Sequence, residues 1–167
     1  IEEGKASEME KLISKLKDEK DSIGGIVEIL ALNVEAGIGN PFFDSIESKI
    51  SQIIFSIPGV KAIEFGQGFS ISKMKGSEAN DEFYIHDEKI KTYTNNNGGI
   101  LGGISNGMPI VFRVALKATP SIGKKQRTID IEKHENTEIE IVGRHDPCIA
   151  IRALPVLEAA TALAILD

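Results

Sequence analysis

The stretch from Thr94 to Gly107 constrains the fold of this chain more than any other segment. It reads TNNNGGILGGISNG and consists almost entirely of Asn, Gly and Ser, with a few embedded aliphatic residues. Dense glycine costs backbone entropy when the chain becomes ordered, so it is tolerated mainly where positive φ is required or where backbone amides press against a ligand. The pattern predicts a loop of special backbone geometry that can receive an anion or a flat cofactor ring.

This loop differs from the common phosphate-binding sequences. A Walker loop ends in Gly-Lys-Ser/Thr, a dinucleotide fingerprint has the spacing G-x-G-x-x-G, and the string from Gly98 to Gly107 has neither pattern. A glycine-rich turn that merely lets two elements pack closely explains the same string. The residues by themselves leave these two interpretations open.

Periodic apolar residues around the loop predict a mixture of helices and strands. The predicted helices are a surface helix opened by a Ser7–Glu10 capping box, a helix with an apolar stripe over 43–57, and an apolar C-terminal helix over 155–166. The predicted strands cover 26–32, 60–65 and 109–117, with hairpins turning at 86–87 and 133–136. With 41% apolar residues the chain can bury a sizeable core, so we expect one mixed α/β (α+β) domain.

Charge and composition exclude several classes of function. The formal net charge of -6 argues against a broad surface for nucleic acid or for anionic membranes. No run of about 18 apolar residues appears, which argues against a membrane-spanning segment. Cys148 is the sole cysteine, so no internal disulfide is possible, and we expect a cytoplasmic protein.

Metal binding and nucleophilic triad chemistry have little support. The three histidines, His86, His134 and His145, are scattered, and Cys148 has no partner at ligand spacing. No serine lies in a G-x-S-x-G elbow. The sequence predicts no metal site.

Two polar clusters are candidates for chemistry. The segment from Lys117 to Ser121 combines a cation with the hydroxyls of Thr119 and Ser121, as a phosphate group requires, although a solvated strand end has the same composition. In the segment from Arg144 to Cys148, Asp146 precedes Pro147, which is typical of a helix N-cap and the first helical residue. An Arg beside an Asp at a helix start can also bind an anion while the Asp accepts a proton.

Three stretches together resemble the chorismate synthase family. The most specific is Arg144 to Ala160, RHDPCIAIRALPVLEAA, which is similar to the family's C-terminal signature. The second is the loop from Thr94 to Gly107, followed at the family's distance by the segment from Lys117 to Ile122. Within that segment Ala118 stands where the family usually has Pro. A looser set, at 21–25, 39–44 and 56–66, keeps the family's order.

The resemblance implies a fold, a cofactor and a reaction. The fold is a β-α-β sandwich, with helices packed between or against antiparallel and mixed sheets, in a homotetramer. Residues 1–167 are identified as the C-terminal portion of a single domain, without an internal linker, whose N-terminal part is absent. The reaction is the elimination of phosphate from 5-enolpyruvylshikimate 3-phosphate to give chorismate, with reduced FMN. Whether an NADP-linked flavin reductase accompanies it stays open.

Site residues are carried over from the family position by position. Asp146 matches the aspartate that is proposed in the family to help deprotonate the flavin and thereby to accept the substrate's proton. The positions expected to contact the flavin or to line its pocket are Pro58, Gly59, Asn95, Asn96, Gly102, Ser105, Asn106, Lys117, Ala118, Thr119, Pro120, Ser121 and Arg144. We expect the loops at 95–121 and 144–146 to converge on this cofactor.

The chain lacks the Gly-Glu-Ser-His motif of the family's N-terminal part, which carries the two catalytic histidines and most of the substrate-binding arginines. We therefore expect the isolated polypeptide to lack normal activity. Two alternatives remain open from the residues. One is a non-catalytic phosphate- or nucleotide-binding module, and the other is an oligomerisation domain built on the helix at 155–166.

Overall fold

The computed structural model describes residues 3–167. In chain order the elements are α1 (Glu3–Asp18), β1 (Gly25–Ala31), α2 (Ile46–Phe55), β2 (Val60–Phe65), a 3-10 helix (Gly68–Lys73), α3 (Gly76–Ala79), β3 (Phe83–His86), β4 (Lys89–Thr92), β5 (Ile100–Leu101), β6 (Ile104–Ser105), β7 (Ile110–Leu116), β8 (Gln126–Asp130), β9 (Glu135–Ile139) and α4 (Ile149–Leu166). This is a mixed α+β protein, as the periodicity predicts.

The chain forms two compact units, each assembled from two segments. The first unit comprises Ile1–Gly25 and Lys117–Arg152, and the second comprises Ile26–Leu116 and Ala153–Asp167. The boundaries fall at the start of β1, at the end of β7 and within α4. We call them the hairpin unit and the sheet unit.

The core of the sheet unit is a three-stranded sheet, with α2 packed against its strand β2. The strand order is β1-β7-β2, and β2 pairs antiparallel with β7. The predicted alternation along β7 is confirmed, since Ile110, Phe112, Val114 and Leu116 are buried while the residues between them are partly exposed. The Phe65 and Phe112 rings lie 5.4 Å apart, which contributes aromatic packing beside this layer.

Helix α2 presents Ile46, Ile50 and Ile54 to this core, and all three are fully buried. The predicted helix began at Phe43, and this start is wrong. Ser45 is the N-cap, because its hydroxyl accepts a hydrogen bond from the Ser48 backbone nitrogen at 3.2 Å. Phe43 therefore lies before the helix and is 91% exposed.

The hairpin unit contains α1 and the β8–β9 hairpin. Ser7 lies inside α1, so the predicted capping box of Ser7 and Glu10 is wrong. The hairpin turns earlier than predicted, because Asp130 Oδ1 accepts from the backbone nitrogens of Glu132 and Lys133 at 3.0 and 3.1 Å. That side-chain turn fixes the register with Asp130 opposite Glu135.

Helix α4 starts at Ile149 and contains Pro155 in its interior. The predictions that the helix begins at Pro155 and that Pro147 is a first helical residue are therefore wrong. Leu157, Ala160, Thr161 and Ala164 form its buried stripe. Because α4 is apolar nearly all round, the sequence predicts that it is deeply buried or clamped against another subunit. Leu163 and Leu166 are exposed, so its burial within this chain is partial, and the subunit contact stays a prediction.

By length and composition α4 is apolar enough to cross a membrane, although it carries Arg152 and Glu158. A helix from the core of a globular protein passes the same test. The finding is weak evidence for a membrane span.

Candidate functional site

The glycines of the loop from Thr94 to Gly107 are required partly by close packing within the sheet unit. Gly98 and Gly103 have φ of 66° and 84°. A side chain at Gly98 would meet the Gly66 backbone nitrogen at 2.5 Å, and one at Gly39 would meet the Gly103 oxygen at 2.3 Å. The close-packing interpretation is therefore correct for these positions.

Gly102 is different from its neighbours. Its φ is 59°, it is exposed, and a Cβ built on it would meet no atom within 4 Å. This part of the loop is open, so a ligand can approach its backbone.

The loop is tied to the sheet unit through one buried carboxylate, Asp81, which is 2% exposed. Its Oδ1 accepts from the Thr94 hydroxyl and from the Asn96 backbone nitrogen, both at 2.7 Å. Its Oδ2 accepts from the backbone nitrogen and the side-chain amide of Asn97, at 2.9 and 2.8 Å. Burial raises the pKa of Asp81, but the hydrogen bonds from Thr94, Asn97 and Asn96 outweigh burial and hold the pKa below its ordinary value.

Two predicted cofactor residues in the sheet unit have buried polar atoms without a partner. The Asn95 side chain donates to the Pro109 oxygen at 2.8 Å, and its Oδ1 is unpaired. The Asn106 Oδ1 accepts from the Met108 nitrogen at 3.0 Å, and its Nδ2 is unpaired. Both amides are thus held against the segment Met108–Pro109, each with one hydrogen-bonding atom to spare.

Asn96 and Ser105, also predicted to line the pocket, have side chains bonded within the unit. The Asn96 amide donates to the Glu78 oxygen at 3.0 Å. The Ser105 hydroxyl donates to the Glu35 oxygen at 2.6 Å and accepts from the Ile38 nitrogen at 2.9 Å. Their observed contacts shape the loop, and a flavin contact from either stays a prediction.

Pro58 and Gly59 form the turn between α2 and β2. Pro58 is exposed, and Gly59 has a φ of 94°, which favours glycine. Val60 donates back to the Ile57 oxygen at 3.3 Å, so the turn is closed on itself.

In the hairpin unit the segment from Lys117 to Ser121 is an ordered loop. The Ser22 hydroxyl donates to the Thr119 oxygen at 2.6 Å, and the Gln126 amide donates to the Pro120 oxygen at 3.0 Å. The Thr119 hydroxyl is buried and has no partner. Lys117, Pro120 and Ser121 are exposed and Ala118 is half-buried. The loop therefore presents one cation and one exposed hydroxyl beside the buried Thr119 hydroxyl, and these groups suit a phosphate.

An ion pair anchors the far end of this loop. Lys124 Nζ lies 2.6 Å from Asp21 Oδ2. The hydrogen bond from Lys124 and that from the Ser22 backbone lower the pKa of Asp21, and the same Asp21 contact raises the pKa of Lys124.

Arg144 and His145 line a cleft of about 300 Å³ in the hairpin unit, together with Lys17, Lys20 and Asp21. Arg144 is exposed, and a ring nitrogen of His145 lies 2.9 Å from the Ile141 oxygen. The His145 ring is thus held by the backbone. Arg144 is left as an exposed cation beside a concave surface.

Asp146 is half-buried, and both of its oxygens have partners. Oδ1 accepts from the Cys148 nitrogen at 3.2 Å, and Oδ2 lies 3.4 Å from Arg152 Nη1. The Cys148 contact closes a turn before α4, as an aspartate ahead of a helix commonly does. The Asp146 side chain is 26% exposed, so its carboxylate is accessible to a further contact.

The predicted site residues thus fall into two groups. The sheet unit holds Pro58, Gly59, Asn95, Asn96, Gly102, Ser105 and Asn106, and the hairpin unit holds Lys117, Ala118, Thr119, Pro120, Ser121, Arg144 and Asp146. Among residues 3–167 no group of three His, Cys, Asp or Glu side chains is placed to hold a metal ion. The sequence analysis did not predict a role for Asp81. Its hydrogen-bond partners lie 13 to 16 residues further along the chain, and no periodic pattern indicates such contacts.

Comparison with known proteins gives a consistent result. The sequence model of one family, described as chorismate synthase, matches residues 1–167. The chorismate synthase of Methanocaldococcus jannaschii is 54% identical over 161 residues, which cover 96% of this chain and 43% of the relative. That of Methanothermobacter thermautotrophicus is 47% identical over 163 residues, which cover 97% of this chain and 44% of the relative.

A crystal structure of a chorismate synthase matches the fold with a TM-score of 0.75 at 31% identity, and the match covers 95% of this chain and 40% of that one. This confirms the predicted fold class. The chain spans less than half the length of these relatives and matches their C-terminal part.

Proposed function

Because the chain belongs to the chorismate synthase family, we propose that it supplies the C-terminal share of an enzyme that eliminates phosphate from 5-enolpyruvylshikimate 3-phosphate to give chorismate. The reaction is an anti elimination without net redox change. Its cofactor is reduced FMN, which, when bound, lends electron density to the substrate as the phosphate leaves.

The observation that supports a flavin site most directly is the identity of three unpaired atoms. Within residues 3–167 the buried side-chain polar atoms without a hydrogen-bond partner are Asn95 Oδ1, Asn106 Nδ2 and Thr119 Oγ1. All three belong to residues that the family resemblance assigns to the flavin. A buried polar atom left unpaired costs about 1–3 kcal/mol, so a missing partner is expected at each position.

The chemistry of these atoms fits FMN. Asn95 offers a carbonyl acceptor, Asn106 an amide donor, and Thr119 a hydroxyl that both donates and accepts. The flavin ring carries N–H donors and carbonyl acceptors, and its phosphate carries acceptor oxygens. The residues present therefore supply both kinds of partner that the cofactor needs.

The other residues of the two groups have distinct proposed roles. The cations Lys117 and Arg144 neutralise negative charge on the cofactor, and the Ser121 hydroxyl adds a donor. Asp146 would help to deprotonate the bound flavin and would thereby accept the proton that the substrate loses. The remaining residues shape the ring pocket, namely Pro58, Gly59, Asn96, Gly102, Ser105, Ala118 and Pro120.

We also propose that the isolated chain has no normal turnover, that the working assembly is a homotetramer, and that it acts in the cytoplasm. The first proposal follows from the family, whose catalytic histidines belong to the N-terminal part of the relatives. The formal net charge of -6 supports a small-molecule substrate over nucleic acid.

A chimera tests these proposals. The chain replaces the matching C-terminal part of the M. jannaschii relative, and phosphate release from the substrate is measured with reduced FMN. We expect turnover by the chimera and none by the chain alone. Strong turnover by the chain alone would contradict the proposed inactivity, and a folded chimera that binds FMN without releasing phosphate would point to a binding module.

Asp146→Asn in the chimera tests the proton acceptor. Asn keeps the Oδ1 acceptor for the Cys148 nitrogen, so the turn before α4 is preserved. We expect turnover to fall by about 10²- to 10⁴-fold with FMN affinity little changed. Equal losses of turnover and FMN affinity would show that Asp146 only supports the fold.

A further inference from the structure

Building on the proposed function, we infer that Asp81 is a positioning residue that presents Asn95 to the flavin. Asp81 lies outside the set of residues that the family resemblance assigns. Its Oδ1 bonds the residue before Asn95, through the Thr94 hydroxyl, and the residue after it, through the Asn96 nitrogen. One oxygen atom therefore holds both chain neighbours of Asn95.

Further contacts complete the positioning of Asn95. Oδ2 of Asp81 accepts twice from Asn97, and the Gly98 nitrogen donates to the Asn95 oxygen at 3.1 Å, which closes the turn on the other side. The Asn95 amide nitrogen is fixed on the Pro109 oxygen. The backbone and the amide nitrogen of Asn95 are thus both held. The polar side-chain atom that is left to bind a ligand is the unpaired Oδ1.

The charge of Asp81 is stabilised by hydrogen-bond donors of this loop, with no ion pair to it in the described part of the chain. None of the ion pairs found within residues 3–167 includes it, and its side chain is 2% exposed. An ionised carboxylate out of water is costly unless donors surround it. The ionised Asp81 is therefore stable in this position only while the four donors of Thr94, Asn96 and Asn97 point at it. These hydrogen bonds in turn fix the conformation of the loop.

Two substitutions and a matched control separate positioning from general stability. Asp81→Asn keeps the shape of the side chain but replaces one accepting oxygen with an NH₂ group. That group then faces hydrogen-bond donors of the loop and cannot accept from them. Thr94→Val removes one contact to Asp81 Oδ1, together with the longer hydrogen bond from Asn96 Nδ2 at 3.3 Å, and is the second variant if Asp81→Asn fails to fold. Asp130→Asn is the control, because Asp130 also accepts two backbone hydrogen bonds in a turn, but in the hairpin unit.

The measurement is the FMN dissociation constant of the chimera, with and without Asn95→Ala. We expect Asp81→Asn to weaken FMN binding by about tenfold or more and Thr94→Val to do so less, with Asp130→Asn near the parent value. If Asp81 acts through Asn95, its effect disappears when Asn95 is already Ala.

Additive effects of Asp81→Asn and Asn95→Ala would overturn the inference while leaving the proposed function intact. Unchanged FMN binding in both Asp81→Asn and Thr94→Val would also overturn it. A parent chimera that binds no FMN would instead overturn the proposed flavin site, together with the role of Asp81 that rests on it.

Discussion

The hydroxyl of Ser22 donates a hydrogen bond to the backbone oxygen of Thr119 over 2.6 Å, and 97 positions of sequence separate the two residues. The bond fastens the loop from Lys117 to Ser121 to the segment that follows α1. The neighbouring Asp21–Lys124 ion pair and the hydrogen bond from the Gly123 nitrogen to the Lys20 oxygen, at 3.1 Å, fasten the far end of the same loop. The proposed phosphate-binding loop is thus held at both ends.

Ser22→Ala should loosen this loop. We expect a loss of about 0.5–1.5 kcal/mol in the free energy of unfolding, and weaker FMN binding because the Thr119 backbone is no longer fixed. Thermal unfolding and FMN titration of the chimera measure the two effects. Ser14→Ala, at an exposed position on α1, is the control and should leave FMN affinity unchanged, with stability equal or slightly higher because Ala is the better helix former. Unchanged FMN affinity in Ser22→Ala would show that the loop needs no such anchor.

Gly39→Ala should destabilise the sheet unit much more than Gly37→Ala. Both glycines have positive φ, 117° and 100°, so the conformational cost is similar at the two positions. A side chain at Gly39 would lie 2.3 Å from the Gly103 oxygen, whereas one at Gly37 would meet no atom within 4 Å. We expect about 1–2 kcal/mol for Gly37→Ala and at least twice that for Gly39→Ala, measured by urea unfolding. Equal losses would show that the contact between Gly39 and Gly103 is not tight.

The Asp21–Lys124 pair should make stability depend on pH at both extremes. Because the folded-state pKa of Asp21 lies below 3.8, its contribution is present above that value and is lost as pH falls through the folded pKa. Because the folded-state pKa of Lys124 lies above 10.5, its contribution is present below 10.5 and is lost as pH rises through the folded pKa.

Lys124→Gln removes the Lys124 contribution and the largest part of the Asp21 contribution, while the hydrogen bond from the Ser22 backbone to Asp21 remains. Its unfolding midpoint should be lower than that of the parent chain at neutral pH, and the difference should shrink in strong acid. Lys125→Gln is the control. Lys125 lies 3.9 Å from Glu138 in an exposed ion pair, which is expected to contribute little to the free energy of unfolding. A difference between Lys124→Gln and the parent that is independent of pH would contradict the assignment.

Much of the sheet unit could be predicted from periodicity. The alternation along β7 and the stripe of Ile46, Ile50 and Ile54 on α2 are local signals of burial, and both are confirmed. Element boundaries were less predictable. The end of α2 follows its Pro58–Gly59 signal, but its start depends on the cap at Ser45, and the start of α4 lies six residues before Pro155.

The candidate site residues come from the family signature, and physical pattern by itself indicates fewer of them. The glycine string suggested a ligand loop, and the structure shows that Gly98 and Gly103 also serve close packing. Asp81 could not be found in this way, because its role depends on hydrogen bonds that form between distant positions on folding. The unpaired atoms of Asn106 and Thr119 likewise become visible when the surrounding backbone is in place.

The central claim is that these unpaired atoms bind the flavin, and the FMN dissociation constant of Thr119→Val in the chimera tests it most directly. Val matches Thr in shape and lacks the unpaired hydroxyl, so the protein without cofactor should be as stable as the parent or more stable. We predict that FMN nevertheless binds about tenfold more weakly. Thr128→Val on β8 is the control. FMN binding equal to that of the parent would contradict the account.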